Sequence, residues 1–219
     1  MIYLIGGPPR CGKSTLAQAL STRLHIPYVP ADYLMSVISP YIPKGDAKER
    51  LPRWYARVKT EKSNDLMYAT YTPEEIVSFY LREAETYWPG IRNFILYALS
   101  DEQDFIVEGA QLRPDLVQAL LQEYGATAFT TAFLYKLGCE PIASGLRAST
   151  GLNDWAQRNT GEATYAKIAR MVHLFSTTIQ AECERYCLPS YDTTHDFDRK
   201  ISRLADKLAV NDPNQVDEK

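Results

Sequence analysis

No apolar run in the 219 residues reaches the roughly 20 that a membrane span needs. The N-terminus has no basic flank before its apolar stretch, so a signal peptide is not expected. Cysteine is scarce: Cys11, Cys139, Cys183 and Cys187 are the only four. Cys183 and Cys187 stand four apart and could pair or bind a metal. With no matching His/Cys pair elsewhere, two ordinary helix residues in a reducing compartment are expected instead. Neither sign of charge dominates. The formal net charge is −3, which excludes a surface that is basic throughout and built for nucleic acid. No internal repeat, low-complexity stretch or guanine-specifying N-K-x-D is found. A cytoplasmic chain of one domain is expected, acting without nucleic acid or membrane as a monomer or small homo-oligomer.

What is present begins at Gly7-Pro8-Pro9-Arg10-Cys11-Gly12-Lys13-Ser14. This fits G-x-x-x-x-G-K-[ST], the phosphate-binding P-loop, and Thr15 continues it into a helix. Ile2 to Ile5 reads as a buried strand before it. Leu16, Leu20 and Leu24 share a helical face after it. Backbone N–H groups and a helix N-terminus then face an anion. Lys13 suits the β- and γ-phosphates and Ser14 a magnesium ion. ATP is expected rather than GTP.

Further along, Pro27 to Pro30 reads as a second strand ending at Asp32. A long helical region follows, from about residue 36 to 100. Thr72-Pro73-Glu74-Glu75 starts a helix there, and Trp88-Pro89-Gly90 is expected to break it. Phe105 to Val107, Phe129 to Tyr135 and Pro189 to Asp192 read as strands three to five. Leu116 to Tyr124, Ile168 to Tyr186 and Ile201 to Leu208 read as helices between and after them. Strands alternating with helices predict an α/β fold with a parallel sheet covered on both faces. Ligands of such sheets bind at the carboxyl ends of the strands, where the P-loop, Asp32, Glu108 and Asp192 fall.

The layout resembles the small-molecule P-loop kinases, the nucleoside-monophosphate kinase fold shared with shikimate and gluconate kinases, chloramphenicol phosphotransferase and zeta toxins. Glu108-Gly109-Ala110-Gln111-Leu112-Arg113-Pro114 is similar to a segment of 2-phosphoglycerate kinases and, less closely, of adenylate kinases. Tyr191 to Phe197 resembles the group's adenine-side loop, which makes Thr193 and Thr194 nucleotide-binding candidates. The resemblance implies a three-layer P-loop NTPase fold with a five-stranded sheet of order 2-3-1-4-5. It divides the chain into a core (1–35 and 101–210), a helical acceptor-binding insert (36–100), a lid (147–161) and a frayed tail (211–219).

It also implies residue roles. Asp32 would orient or deprotonate the acceptor; a helix cap before Tyr33 is the alternative. Glu108 would hold magnesium, through water, with acceptor binding or a salt bridge to Arg113 as alternatives. Arg147 and Arg158 would fold over the transferring phosphate from the lid, hinged at Thr150, Gly151 and Gly161, or are plain surface arginines. Arg113 joins Arg53 and Arg57 as candidates for the acceptor. The last two lie in a segment, Lys44 to Lys62, with seven basic residues against three acidic. An anionic acceptor would suit it, and so would a solvated helix face. The expected activity is transfer from Mg-ATP to a small, anionic acceptor. A toxin-like nucleotide-sugar kinase and a non-catalytic, nucleotide-gated module are the rivals.

Overall fold

The computed structural model describes residues 1–149 and 154–210. Its five strands are β1 (Ile2–Gly6), β2 (Tyr28–Pro30), β3 (Phe105–Gly109), β4 (Phe129–Tyr135) and β5 (Ser190–Asp192). They form one parallel sheet in the order β2-β3-β1-β4-β5, as expected. β1 is buried along its whole length, which is why it reads as a continuous apolar run rather than an alternating one. Its neighbours fix the register: Ile5 lies opposite Glu108, Gly6 opposite Gly109 and Phe133, and Pro30 opposite Glu108. The P-loop, Glu108 and the start of the helix after β2 therefore leave the sheet at one edge.

Helix α1 (Lys13–Leu24) follows the P-loop and packs on β1, β2 and β3, with α10 (Phe197–Val210) beside it. Leu16, Ala17 and Leu20 of α1 meet Ile201, Leu204 and Ala205 of α10 in the core. Between β2 and β3 lie α2 (Ala31–Ile38), α3 (Ala47–Arg50), α4 (Pro52–Lys59), α5 (Asn64–Thr70) and α6 (Pro73–Ser100). After β3 come α7 (Pro114–Tyr124), α8 (Cys139–Arg147) and α9 (Glu162–Tyr186). α9 packs on β4 and on α5 to α8, and its Ile168, Val172, Phe175 and Ile179 are fully buried. No helix among the described residues is long and apolar enough to cross a membrane.

One expected break is absent. α6 runs unbroken through Pro89. A proline inside a helix removes a hydrogen bond and costs ~3 kcal/mol. Packing on both sides of it offsets that cost: Tyr87, Ile91 and Ile95 are all buried. Gly90 also allows a close approach, since a Cβ there would stand 2.5 Å from Ile38 Cδ1. α5 and α8 are short helices that the sequence pattern did not single out. All four cysteines are free, and Cys187 is not inside the helix but caps α9 at φ 55°.

Candidate functional site

The P-loop backbone is shaped by what surrounds it. Gly7 adopts φ 129°, and a Cβ there would lie 2.1 Å from the Leu134 carbonyl oxygen. Gly12 caps α1 at φ 96°, where a Cβ would strike the Phe197 ring at 2.6 Å. Arg10 also takes a positive φ, 69°, and its guanidinium is tied to Asp154 at 2.8 Å. Lys13 is 8% exposed, and its ammonium donates to the Pro8 carbonyl at 2.7 Å. Cys11 is fully buried, and burial pushes its thiol pKa up. Its carbonyl accepts the Thr193 hydroxyl at 2.8 Å.

The loop opens on a cavity of about 990 Å³. Pro9, Arg10, Gly12, Lys13, Ser14 and Thr15 line it, whereas Gly7, Pro8 and Cys11 stand behind as framework. Thr193 does the same and is buried against the loop, so of the two threonines expected beside a nucleotide only Thr194 reaches the cavity. The Thr194 hydroxyl is itself held by Asp192 and the Leu137 N–H.

Across from the loop, Ser14 Oγ donates to Glu108 Oε1 at 2.8 Å. Glu108 is 5% exposed. Burial raises its carboxyl above the ordinary value, Lys13 and Ser14 pull it down, and Asp32 pushes it up again. Glu108 therefore pairs with Ser14 and not with Arg113. No group of three or more His, Cys, Asp or Glu that could hold a metal occurs among the described residues. Any ion here would complete its shell from Ser14, Glu108, water and phosphate oxygens.

Asp32 is not a helix cap. α2 starts one residue before it, and Pro30 holds the cap position. Asp32 sits exposed in the first turn, faces the cavity and accepts from Gln111 Nε2 at 3.2 Å.

Arg53 and Arg57 line the same cavity from α4, although most of their basic neighbours point to solvent. Arg53 lies over the Tyr80 ring at 4.6 Å, and its Nε donates to Glu83 at 3.0 Å. Burial opposes its charge, and Tyr80, Glu83 and Asp32 outweigh that and raise its pKa. Arg57 donates to Asn64 Oδ1 at 2.7 Å and to the Lys62 carbonyl at 2.9 Å. Burial lowers the Arg57 pKa, and the charges of Arg53 and Arg158 add to that.

Two arginines do not join the site. Arg147, expected over the phosphate, closes α8 on the outside, paired with Glu162 and with Glu140 at 3.8 Å. Arg113, expected at the acceptor, is held by Glu85 at 2.8 Å, Asp115 at 2.7 Å and the Leu81 carbonyl at 3.0 Å. Neither lines the cavity; Arg158 does. Thr150 and Gly151 lie outside the described residues, and Gly161 caps α9 in an extended conformation.

The structure adds cavity residues that sequence reasoning passed over: Asn64, Tyr80, Gln111, Lys136 and Phe197. Lys136 follows β4 and lies over the Phe197 ring at 4.7 Å. Burial lowers its pKa. Its position after a buried strand was the one available signal.

Neither a protein-family model nor a curated protein sequence matches this chain. Among solved structures it is similar to an uncharacterized protein from Eubacterium ventriosum ATCC 27560, with TM-score 0.50 and 15% identity over 96% of this chain and 98% of that one. The chain has the P-loop NTPase fold. A shikimate kinase from Bacteroides thetaiotaomicron also aligns, with TM-score 0.49 and 14% identity over 95% of this chain and 98% of that one. At 15% identity the likeness to the Eubacterium ventriosum protein speaks for the fold alone, and the chemistry has to be argued from the P-loop cavity itself.

Proposed function

We propose that this P-loop protein transfers the γ-phosphoryl group of Mg-ATP to a hydroxyl or phosphate of a small anionic metabolite. One observation carries the reading. One cavity is lined both by the P-loop with the Ser14–Glu108 pair and by Asp32, Arg53 and Arg57. A protein that only senses a nucleotide has no use for the second set.

The donor set fits magnesium. Ser14 and Glu108 offer two hard oxygens together, and burial leaves the Glu108 charge in need of a cation. Ser14 and Glu108 would hold the ion, which would offset the charge of the phosphates. Lys13 exchanges its Pro8 carbonyl for the β- and γ-phosphates. Arg10, Lys136 and Arg158 supply further positive charge around the cavity. Asp32, fixed by Gln111, takes the proton of an acceptor hydroxyl as its oxygen bonds to the γ-phosphorus. The bond to the bridging oxygen breaks, and ADP leaves with that electron pair. Arg57, with Arg53 beside it on α4, holds the acceptor's anionic group.

A screen of hydroxylated and phosphorylated acceptors by coupled ADP release, against the rate without acceptor, tests the reading. Mg-ATP should raise the melting temperature of the parent by mass action, and Lys13→Ala should lose most of that rise. Asp32→Asn should keep nucleotide affinity and lose about a hundredfold or more in turnover. An Asn variant as fast as the parent removes Asp32 from the chemistry. A chain that binds Mg-ATP yet phosphorylates no acceptor is the nucleotide-gated module instead.

A further inference from the structure

Asn64, the first residue of α5, is 0% exposed. A buried amide has to place two donors and an acceptor. Asn64 Oδ1 accepts from Arg57 Nη1 at 2.7 Å, which fixes the amide's orientation because a guanidinium can only donate. Nδ2 donates to the Trp155 carbonyl at 2.7 Å and to Thr160 Oγ1 at 2.8 Å. The Asn64 backbone N–H donates to the Arg158 carbonyl at 3.2 Å. Asp65 continues the seam: its N–H reaches the Asn159 carbonyl at 3.0 Å, and its carboxylate accepts the Gly161 N–H at 2.8 Å and the Thr164 hydroxyl. One buried side chain thus joins the insert's Arg57 to the turn that carries Arg158.

The charges at this seam are not balanced. Arg57 is surrounded by neutral partners: Asn64 Oδ1, the Lys62 carbonyl and Met67 Sδ. The Arg158 guanidinium has no hydrogen-bond or ion-pair partner among the described residues, and both arginines line the cavity. The other two cavity arginines differ, since Arg53 is paired with Glu83 and Arg10 with Asp154. Two neighbouring cations without a carboxylate repel each other. Burial first, then the charge of Arg53 and then that of Arg158, lowers the affinity of Arg57 for its proton. Of those two arginines only Arg158 lacks a carboxylate of its own among the described residues. A doubly charged anion relieves that repulsion completely, whereas a carboxylate leaves one charge over.

We propose that Asn64 is a positioning residue that joins Arg57 and Arg158 into one clamp for a phosphate-monoester dianion on the acceptor. The inference rests on the phosphotransferase reading and narrows its substrate class. Arg158 then faces the acceptor's own phosphate, while Asp32, on the Arg53 side, handles the reacting group. Guanidinium forks suit a tetrahedral phosphate; Asn64 fixes the Arg57 fork and the backbone of Arg158, so only the Arg158 side chain has to be ordered on binding.

The test saturates the protein with magnesium and the β,γ-imido analogue of ATP, so that the P-loop is filled, and titrates methyl phosphate or acetate by calorimetry. Methyl phosphate should bind at least about tenfold more tightly than acetate, the ratio expected for one added charged hydrogen bond. Asn64→Asp keeps the shape and the Arg57 contact but sets a carboxylate against the Trp155 carbonyl. It should weaken methyl phosphate about tenfold or more and leave the nucleotide analogue's affinity unchanged. The losses in Arg57→Ala and Arg158→Ala should be non-additive in the parent and additive in the Asn64→Asp background. A purely structural Asn64 would not change that additivity. Thr160→Val removes one of the two bonds from Asn64 Nδ2 and decides the matter should Asn64→Asp fold poorly. Equal affinity for methyl phosphate and acetate, or Asn64→Asp and Thr160→Val variants that both bind as the parent does, overturns the clamp alone. Failure of the nucleotide analogue to bind overturns the phosphotransferase reading, and the clamp with it.

Discussion

Glu108 puts a carboxylate at the end of a buried strand with one hydroxyl, that of Ser14, as its hydrogen-bond partner. Burial raises its pKa above the ordinary 4.5. Folding therefore favours the protonated form. The stability that Glu108 contributes is present below the ordinary value and is lost as pH rises through the raised one. Glu108→Gln keeps the shape and an acceptor for Ser14 without the charge. Without ligand, the Gln variant should melt higher than the parent at pH 8, by about 2–4 °C if ~1 kcal/mol is at stake. At pH 4 the two should melt together. With Mg-ATP the order should reverse, because the parent alone offers the ion a full charge. Scanning calorimetry at both pH values checks this. A Gln variant that melts below the parent at pH 8, or that keeps the whole Mg-ATP gain, contradicts the role given to Glu108.

At the scale of elements, α6 is the longest helix, and it carries Tyr80 and Glu83 to the cavity side. Its start is a capping box: Thr72 Oγ1 accepts the Glu75 N–H at 3.1 Å, and Glu75 Oε2 accepts the Thr72 N–H at 2.8 Å. Thr72→Ala should cost ~1 kcal/mol, or about 2–4 °C in melting temperature. Thr72→Ser should recover most of it; a serine variant as unstable as the alanine one would show that the hydroxyl does not matter. This cap was legible in the sequence because it is local, as were β1, the P-loop and the buried run of β4. The break expected at Pro89 failed because packing from outside the helix outweighed a local rule. Arginines were the hardest residues to place. Arg53, Arg113, Arg147 and Arg158 look alike in sequence, and what sorts them is the carboxylate that each meets in space. Glu85 with Asp115 holds Arg113 away, Glu162 holds Arg147, and Arg158 meets none among the described residues. Those partners lie on helix faces that periodicity alone does not orient.

For the molecule as a whole, the cavity is closed by contacts that depend on ionised carboxylates. Asp154 ties the turn before α9 to Arg10 of the P-loop, and Asp65 ties the start of α9 to α5. Burial pushes the Asp154 carboxyl up, but the Ser149 hydroxyl, the Ala156 N–H and Arg10 together hold it below the ordinary 3.8. The Thr164 hydroxyl and the Gly161 N–H hold Asp65 below it as well. For both, the stabilisation is present above pH 3.8 and is lost as pH falls through the lowered values. The sheet behaves differently. β1 and β4 carry no carboxylate, and Glu108 on β3 is favoured by acid rather than harmed. Acid should therefore loosen the rim of the cavity before it unfolds the core. Amide hydrogen exchange at pH 3, corrected for intrinsic rates, should show protection falling in residues 154–165 and in α5 while β1 and β4 stay protected. Asp154→Asn should show part of that loss already at pH 7, confined to the same segments. If every element instead loses protection along one curve with one midpoint, the rim and the core are a single cooperative unit, and the two aspartates are not separate fastenings of the cavity.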